Sequence, residues 1–340
     1  MSIRGGVSMA IERARSIRCT AMQMFVKNNV QWFARPLTRE EIRAFLNHVQ
    51  RGELLSVFGH ANYLINLAAT NPQFHANSIR ALAEELARAD QLELPFLVLH
   101  PGAHLGAGEE AGLQKIVDSI DEVFRKIPKV KTKIALEVTA GQGSCVGHRF
   151  EHLAHIITNV REPDRLRVCL DTAHLFAAGY EIGSKSGVRK TFHEFDRVIP
   201  QARDRLVAIH VNDSKTGRGS RVDRHDHIGK GRIGLEAFRF IMRSPRFHKI
   251  PKVLETPKGK DLAEDVINLK TLRRLAERGS ASDVSLNQPD RDWITIEFSL
   301  ARLDRGDDYQ HQVQNVQNCQ DNKTDQNQAK DASNHVIDQH

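Results

Sequence analysis

Six short apolar runs in this chain each end at a side chain able to bind a metal or move a proton. His60 follows LLSVF (54–58), His100 follows FLVL (96–99), Glu137 follows KIAL (133–136), Asp171 follows RVCL (167–170), His210 follows LVAI (206–209) and Glu255 follows KVL (252–254). A lone histidine or aspartate at a strand end is usually a hydrogen-bonded loop residue. Six in succession are another matter. Three imidazoles and three carboxylates aimed at one place would repel or go unsatisfied without a cation, and the mixture suits zinc or manganese. Spacing brings in three more. His174 comes round to the side of Asp171 if the chain turns helically there, and GSRVDRHDHIGKGRIG (219–234) carries Asp223 and His225, spaced to chelate one ion from an extended loop, with His227 close enough to stay in consideration. A four-coordinate catalytic zinc takes about three protein ligands and leaves one position for water, so nine candidates imply three metals with bridging carboxylates. Clustered dications suit phosphodiester hydrolysis. They make hydroxide available at neutral pH, neutralise the non-bridging phosphate oxygens and stabilise the leaving alkoxide.

For such groups to meet, the strands that carry them must end on one face. The apolar runs AMQMFV (21–26), LLSVF, FLVLH, KIALE, LRVCLD, LVAIHV and KVLE are separated by amphipathic stretches such as 75–92, 112–126 and 234–243. Near-continuous apolar strands alternating with helices predict a parallel sheet covered by helices, and seven such units favour a barrel over an open sheet. In a (β/α)8 barrel the C-terminal strand ends line the active-site face. The count stops at seven. The expected architecture is therefore a TIM-type barrel one strand short, over residues 1–279. The alternating stretch WITIEFSL (293–300) would fill the gap only through an unexpected topology. Residues 280–340 form a C-terminal extension, and from about Asp304 its Gln, Asn, Asp and Lys content predicts disorder. Its histidines, His311, His335 and His340, are expected to be solvated.

A net charge of +7 favours a polyanionic partner. The four cysteines, Cys19, Cys145, Cys169 and Cys319, form no C-x-x-C pair and indicate neither a zinc ribbon nor a disulfide framework, which fits a reducing cytosol. No stretch has the length of a signal peptide's apolar core or of a membrane helix, so a soluble cytoplasmic protein is expected.

The strings HPGAH (100–104), LEVTAGQG (136–143), FEHLAHII (150–157), LDTAHLFAAGYE (170–181), HVNDSK (210–215), GSRVDRHDHIGKG (219–231) and LET (254–256) resemble the endonuclease IV family of apurinic/apyrimidinic-site DNA repair nucleases. The likeness runs from about Gly5 to Gly279, and because family members carry a strand just before the Gly-Gly pair where this chain opens at MSIRGG, it implies that the strand missing from the TIM-type barrel is the first. It implies a trinuclear zinc cluster in a TIM-type barrel, with His60, His100 and Glu137 on the first zinc. Glu137 would bridge to a second held also by Asp171, His210 and Glu255, and His174, Asp223 and His225 would hold the third. Manganese is the alternative at one site. The implied reaction cleaves 5′ to an abasic site in double-stranded DNA, leaving a 3′-hydroxyl and a 5′-deoxyribose phosphate. Glu255 and Glu137 would be the catalytic carboxylates, Glu255 orienting the nucleophile. By the same likeness Tyr63 and Leu64 would enter the duplex from the minor groove, with Lys27, Asn28, Gln31 and Trp32 as a second DNA loop. Val30 stands where the family has arginine before its Gln-Trp pair, which predicts lower affinity. A monomer acting in a bacterial-type cytoplasm is expected.

Two rivals come from other classes. Sugar isomerases and epimerases also use metal-bearing barrels, but one or two metals suffice for them. A non-catalytic DNA-binding barrel would bind without turnover. The basic run RKIPKVKTK (125–133) precedes a strand and belongs to the face opposite the site, and the glycines of AGQGSCVG (140–147) indicate a tight loop, not a dinucleotide site.

Overall fold

The computed structural model describes residues 1–259 and 261–277 and the backbone of 295–297. The parallel strands are β1 (Ala21–Phe25), β2 (Ser56–His60), β3 (Phe96–Leu99), β4 (Lys133–Glu137), β5 (Leu166–Asp171), β6 (Leu206–His210), β7 (Lys252–Val253) and β8 (Thr295–Glu297). Each of β2 to β7 pairs with the strand before it. Thus seven strands follow the expected order. The eighth place differs from the expectation. Thr295–Glu297, within WITIEFSL, lies parallel along β1 with Ala21 opposite Thr295 and Gln23 opposite Glu297, and it also neighbours β7. A ladder needs an edge with free N–H and C=O groups, not sequence proximity, and β1 offers one. The rest of the C-terminal extension lies outside the described residues.

Helices cover the sheet because the intervening segments carry an apolar stripe and strong start signals. Pro72–Gln91 is capped by the Asn71 side chain, which accepts the Phe74 N–H, and begins on a proline. Arg39–Gln50 starts with a capping box between Thr38 and Glu41. Leu82, Leu86, Ile116, Ile120, Leu153 and Phe238 are among the helix residues that meet the outer face of the strands in one continuous core.

A second, smaller cluster fills the barrel interior: Phe58, Phe96, Val98, Ala135, Cys169, Ala208 and Val253. Side chains alternate faces along a strand, so a residue two places further on also points inward. Adding two to Phe58, Val98, Ala135, Cys169, Ala208 and Val253 gives His60, His100, Glu137, Asp171, His210 and Glu255. The apolar plug and the chemical layer above it are one pattern. Between β5 and β6 the register shifts at Val168/Cys169, after which Asp171 sits opposite His210.

Candidate metal centre

At the C-terminal mouth the strand-end groups converge on Glu137, which is fully buried. Its Oε2 lies 3.3 Å from His60 Nε2 and 3.1 Å from His100 Nε2, and its Oε1 lies 2.9 Å from His210 Nδ1. Glu255 Oε2 approaches the same His210 Nδ1 at 3.0 Å. Three groupings place donor atoms close enough to share an ion: His60, His100 and Glu137; Glu137, Asp171, His210 and Glu255; and Asp171, His174 and His225. Asp223 closes the third, 3.2 Å from His174 Nε2 and 3.3 Å from His225 Nε2. All nine candidates meet at one mouth. His227 turns instead to Asn268, at 3.0 Å.

Local structure explains the loop candidates. Asp171 ends β5 and caps the helix Thr172–Ala178, its Oδ1 accepting the His174 N–H at 2.8 Å. The D-T-A-H spacing is therefore an N-cap spacing, and it sets His174 over the strand end. Gly179, left-handed at φ 112°, stops that helix. His225 is brought in by an antiparallel pairing of His225–Asp226 with Asp213–Ser214. Asp223 is held by its N–H, which donates to Gln142 Oε1 at 2.9 Å, so the AGQG loop steadies a site residue.

The wiring of the imidazoles fits metal ions. His60 Nδ1 donates to the Ala61 carbonyl, His174 Nδ1 to that of Val138, His225 Nδ1 to that of Glu255, and His210 Nε2 to Gln23 Oε1. A neutral imidazole that donates from one nitrogen presents a lone pair at the other. Those lone pairs all face inward onto carboxylates. His174 Nε2 and His225 Nε2 even face each other at 3.4 Å. Only a cation or a proton between them relieves that repulsion.

Without metal, protons take that part. Burial would raise the Glu137 carboxyl, yet His210 and His100 hold it well below the usual range. Burial opposes charge on His174, and Asp171 and Asp223 outweigh it, so the imidazole stays protonated well above its ordinary value. His225 is raised against its burial by the same two carboxylates, and His210 by Cys169, Glu137 and Glu255. The open side of the mouth is marked by His100 and Asp223, whose side chains are 34% and 31% exposed.

Two residues that the strand-end pattern does not pick out organise this layer. Asn212 donates to Asp171 Oδ2 at 2.6 Å and accepts the Glu255 N–H at 2.7 Å. Gln23, buried on β1, lies between His210 and Glu255.

Of the expected DNA-contacting residues, Tyr63 and Leu64 are half-buried beside the site, the Tyr63 ring 5.3 Å from that of His60. Asn28 and Gln31 are exposed, Val30 stands out between them, and Trp32 is anchored edge-on against Phe74. Lys27 is placed otherwise than expected. Its ammonium is buried, paired with Glu85 at 2.9 Å and donating to the Gln31 carbonyl, so it is not offered to a phosphate. Asn62 donates from its side chain to that same carbonyl and from its N–H to Glu85. Lys27 thus braces one loop against the other.

The barrel and its site define the class. Residues 11–275 match the xylose isomerase-like TIM barrel family. A D-tagatose 3-epimerase-like protein shares the fold at a TM-score of 0.60 with 16% identity, covering 79% of this chain and 93% of that one. Within that class a closer likeness is found. The chain is 48% identical over 277 residues to the probable endonuclease 4 of Chloroflexus aurantiacus, spanning 82% of this chain and 96% of that protein. The crystal structure of endonuclease IV from Thermus thermophilus matches with a TM-score of 0.71 and 33% identity over 81% of this chain and 96% of that one. This chain belongs to the endonuclease 4 family and is a nuclease of the hydrolase class.

Proposed function

We propose that the protein is a base-excision repair enzyme that hydrolyses the phosphodiester 5′ to an abasic site in double-stranded DNA, with three zinc ions, or two and one manganese. The observation that supports this best is the third grouping. His174 and His225 point lone pairs at one another beside Asp223 and Asp171, an arrangement for which a one- or two-metal sugar enzyme has no use. His60, His100 and Glu137 would hold the first ion; Glu137, Asp171, His210 and Glu255 the second; and His174, Asp223 and His225 the third. Metal there supplies activation of water at neutral pH and neutralisation of phosphate charge.

The chain's own groups do the rest. Glu255, at the open edge of the second group with a side chain 11% exposed, orients the attacking water and accepts its proton, and Glu137 keeps two groups in register. Tyr63 and Leu64 enter beside an abasic nucleotide, which has lost its pairing and stacking and is cheaper to extrude than an intact one. Asn28, Gln31 and Trp32 steady the backbone from the adjoining loop. The enzyme acts as a monomer in the cytoplasm; among the described residues no helix is long and apolar enough to cross a membrane.

The test is cleavage of a duplex with one abasic-site analogue that cannot undergo β-elimination, before and after chelation. The expected result is a nick 5′ to the analogue with a 3′-hydroxyl end, abolished by chelation and restored by zinc. Intact duplex after incubation with soluble, metal-loaded protein would overturn the proposal and favour the non-catalytic barrel.

A further inference from the structure

We propose that Gln23 is the positioning residue for the second metal group: its amide fixes the His210 tautomer and, by holding one Glu255 oxygen, aims the other at the centre. This rests on the reading that these residues hold metal ions. Gln23 sits on β1 and is fully buried, opposite Phe58 of the interior plug in the strand ladder. It is a polar residue at a level of the barrel otherwise filled by apolar side chains. Burial of an amide is costly unless both ends are satisfied, and here both ends are spent on site residues. Its Oε1 accepts from His210 Nε2 at 2.8 Å, and its Nε2 donates to Glu255 Oε1 at 3.1 Å.

The two bonds enforce each other. Were the amide rotated, its oxygen would face the Glu255 carboxylate, so Glu255 holds the oxygen toward His210. Were His210 to carry its proton on Nδ1, that N–H would donate to Glu137 or Glu255, which stand 2.9 and 3.0 Å away, and the ring would have no lone pair for a metal. Gln23 opposes that tautomer, because a bare Nε2 would face the lone pairs of Oε1. With Glu255 Oε1 taken by the amide, Oε2 is the oxygen directed at the centre.

The experiment measures zinc affinity of the full chain by competition with a chromophoric chelator, for wild type, Gln23→Leu and Gln23→Met. Removing such an outer partner weakens binding by about 10- to 100-fold, and one ion of the set should be lost first. Single-turnover cleavage should fall with little change in DNA affinity, because Glu255 loses its aim while the DNA loops are untouched. Phe58→Leu is the control. It should lower the melting temperature of the metal-free protein without altering zinc competition, whereas the Gln23 variants do the reverse. Wild-type affinity in both Gln23 variants would overturn the inference. A wild type that binds no zinc at all would instead overturn the reading on which it rests. If neither variant folds, nitrogen NMR of histidine in zinc-loaded wild type decides: a His210 ring with its proton on Nδ1 contradicts the inference, and one with its proton on Nε2, engaging Gln23, upholds it.

Discussion

Two places among the described residues gather histidines around carboxylates, and they differ in how many lone pairs their rings have left to give. At the barrel mouth His60, His174, His210 and His225 each give an N–H outward to a carbonyl or an amide and keep a lone pair for the centre. Beside Phe150–Asn159, Glu109, His148 and His152 lie within coordinating distance of one another, with the two rings 4.8 Å apart. There the Gly147 N–H donates to His152 Nδ1 and the Arg149 Nε–H points at its Nε2. His148 is wired as at the mouth, its Nδ1–H donating to the Cys145 carbonyl at 3.1 Å, but whichever tautomer His152 adopts, its single lone pair already faces a protein donor. Arg149 also supplies the cation, 3.2 Å from Glu109. Residue types and proximity make both places look alike. The fate of one ring separates them: with the His152 lone pair taken, the second place keeps two donors for an ion, His148 Nε2 and Glu109, whereas the four mouth rings keep theirs.

The largest expected effect comes from breaking the mouth. Glu255→Gln keeps the size of the side chain but removes its charge and its capacity as a base, and should lower single-turnover cleavage by about 100- to 10,000-fold. Glu109→Gln should leave both cleavage and zinc content unchanged. Equal losses in the two variants would erase the distinction.

The pH dependence of stability should carry opposite signs at the two places. His174, His210 and His225 have raised values in the folded, metal-free protein. Their stabilisation is complete below the unfolded value of about 6.5 and is lost as pH rises through the raised ones. Zinc loading should abolish that loss and release protons as it does so. His152 is held down to about 4 by burial, then by Arg149 and His148. Its contribution is present above about 6.5 and is lost as pH falls toward 4, by at most about 3 kcal/mol. Denaturant melts of the metal-free protein across pH, with His152→Gln beside wild type, should show the acid-side slope shrink in the variant and the alkaline-side slope remain.

The smallest effect concerns the DNA loop. Val30 is 54% exposed between Asn28 and Gln31. Val30→Arg should tighten binding to an abasic duplex by about three- to tenfold at low salt, with a steeper salt dependence by about one phosphate contact. Unchanged affinity would place that loop away from the DNA.

The convergence of the strand-end candidates is legible in the sequence because a parallel barrel converts a repeated one-dimensional position, the last residue of an apolar run, into one point in space. Asp171 and His174 are legible through the helical turn between them. Gln23 is not, since a glutamine within AMQMF carries no mark of facing inward until β1 is paired with β2. Asn212 falls within the HVNDSK string, yet its bridging role is hidden, because its partners, Asp171 and Glu255, are 41 and 43 residues away in sequence. Lys27 misleads because a lysine in the polar loop KNNVQ suggests solvent, and its partner Glu85 lies on the helix Pro72–Gln91. The pairing of Thr295–Glu297 with β1 runs against the topology the strand order suggests, yet an open strand edge accepts any segment that can reach it.

The measurement that bears most directly on this account is the metal content of the full-length protein, purified with zinc and freed of loosely held ions, determined by elemental analysis against protein concentration. Three zinc ions per chain are predicted, falling to none in a variant with Glu137, Asp171 and Asp223 all replaced by their amides and staying at three in Glu109→Gln. One or two ions in wild type would contradict the three-metal centre. Four, with one lost in Glu109→Gln, would show that the lone-pair argument misjudges the second cluster.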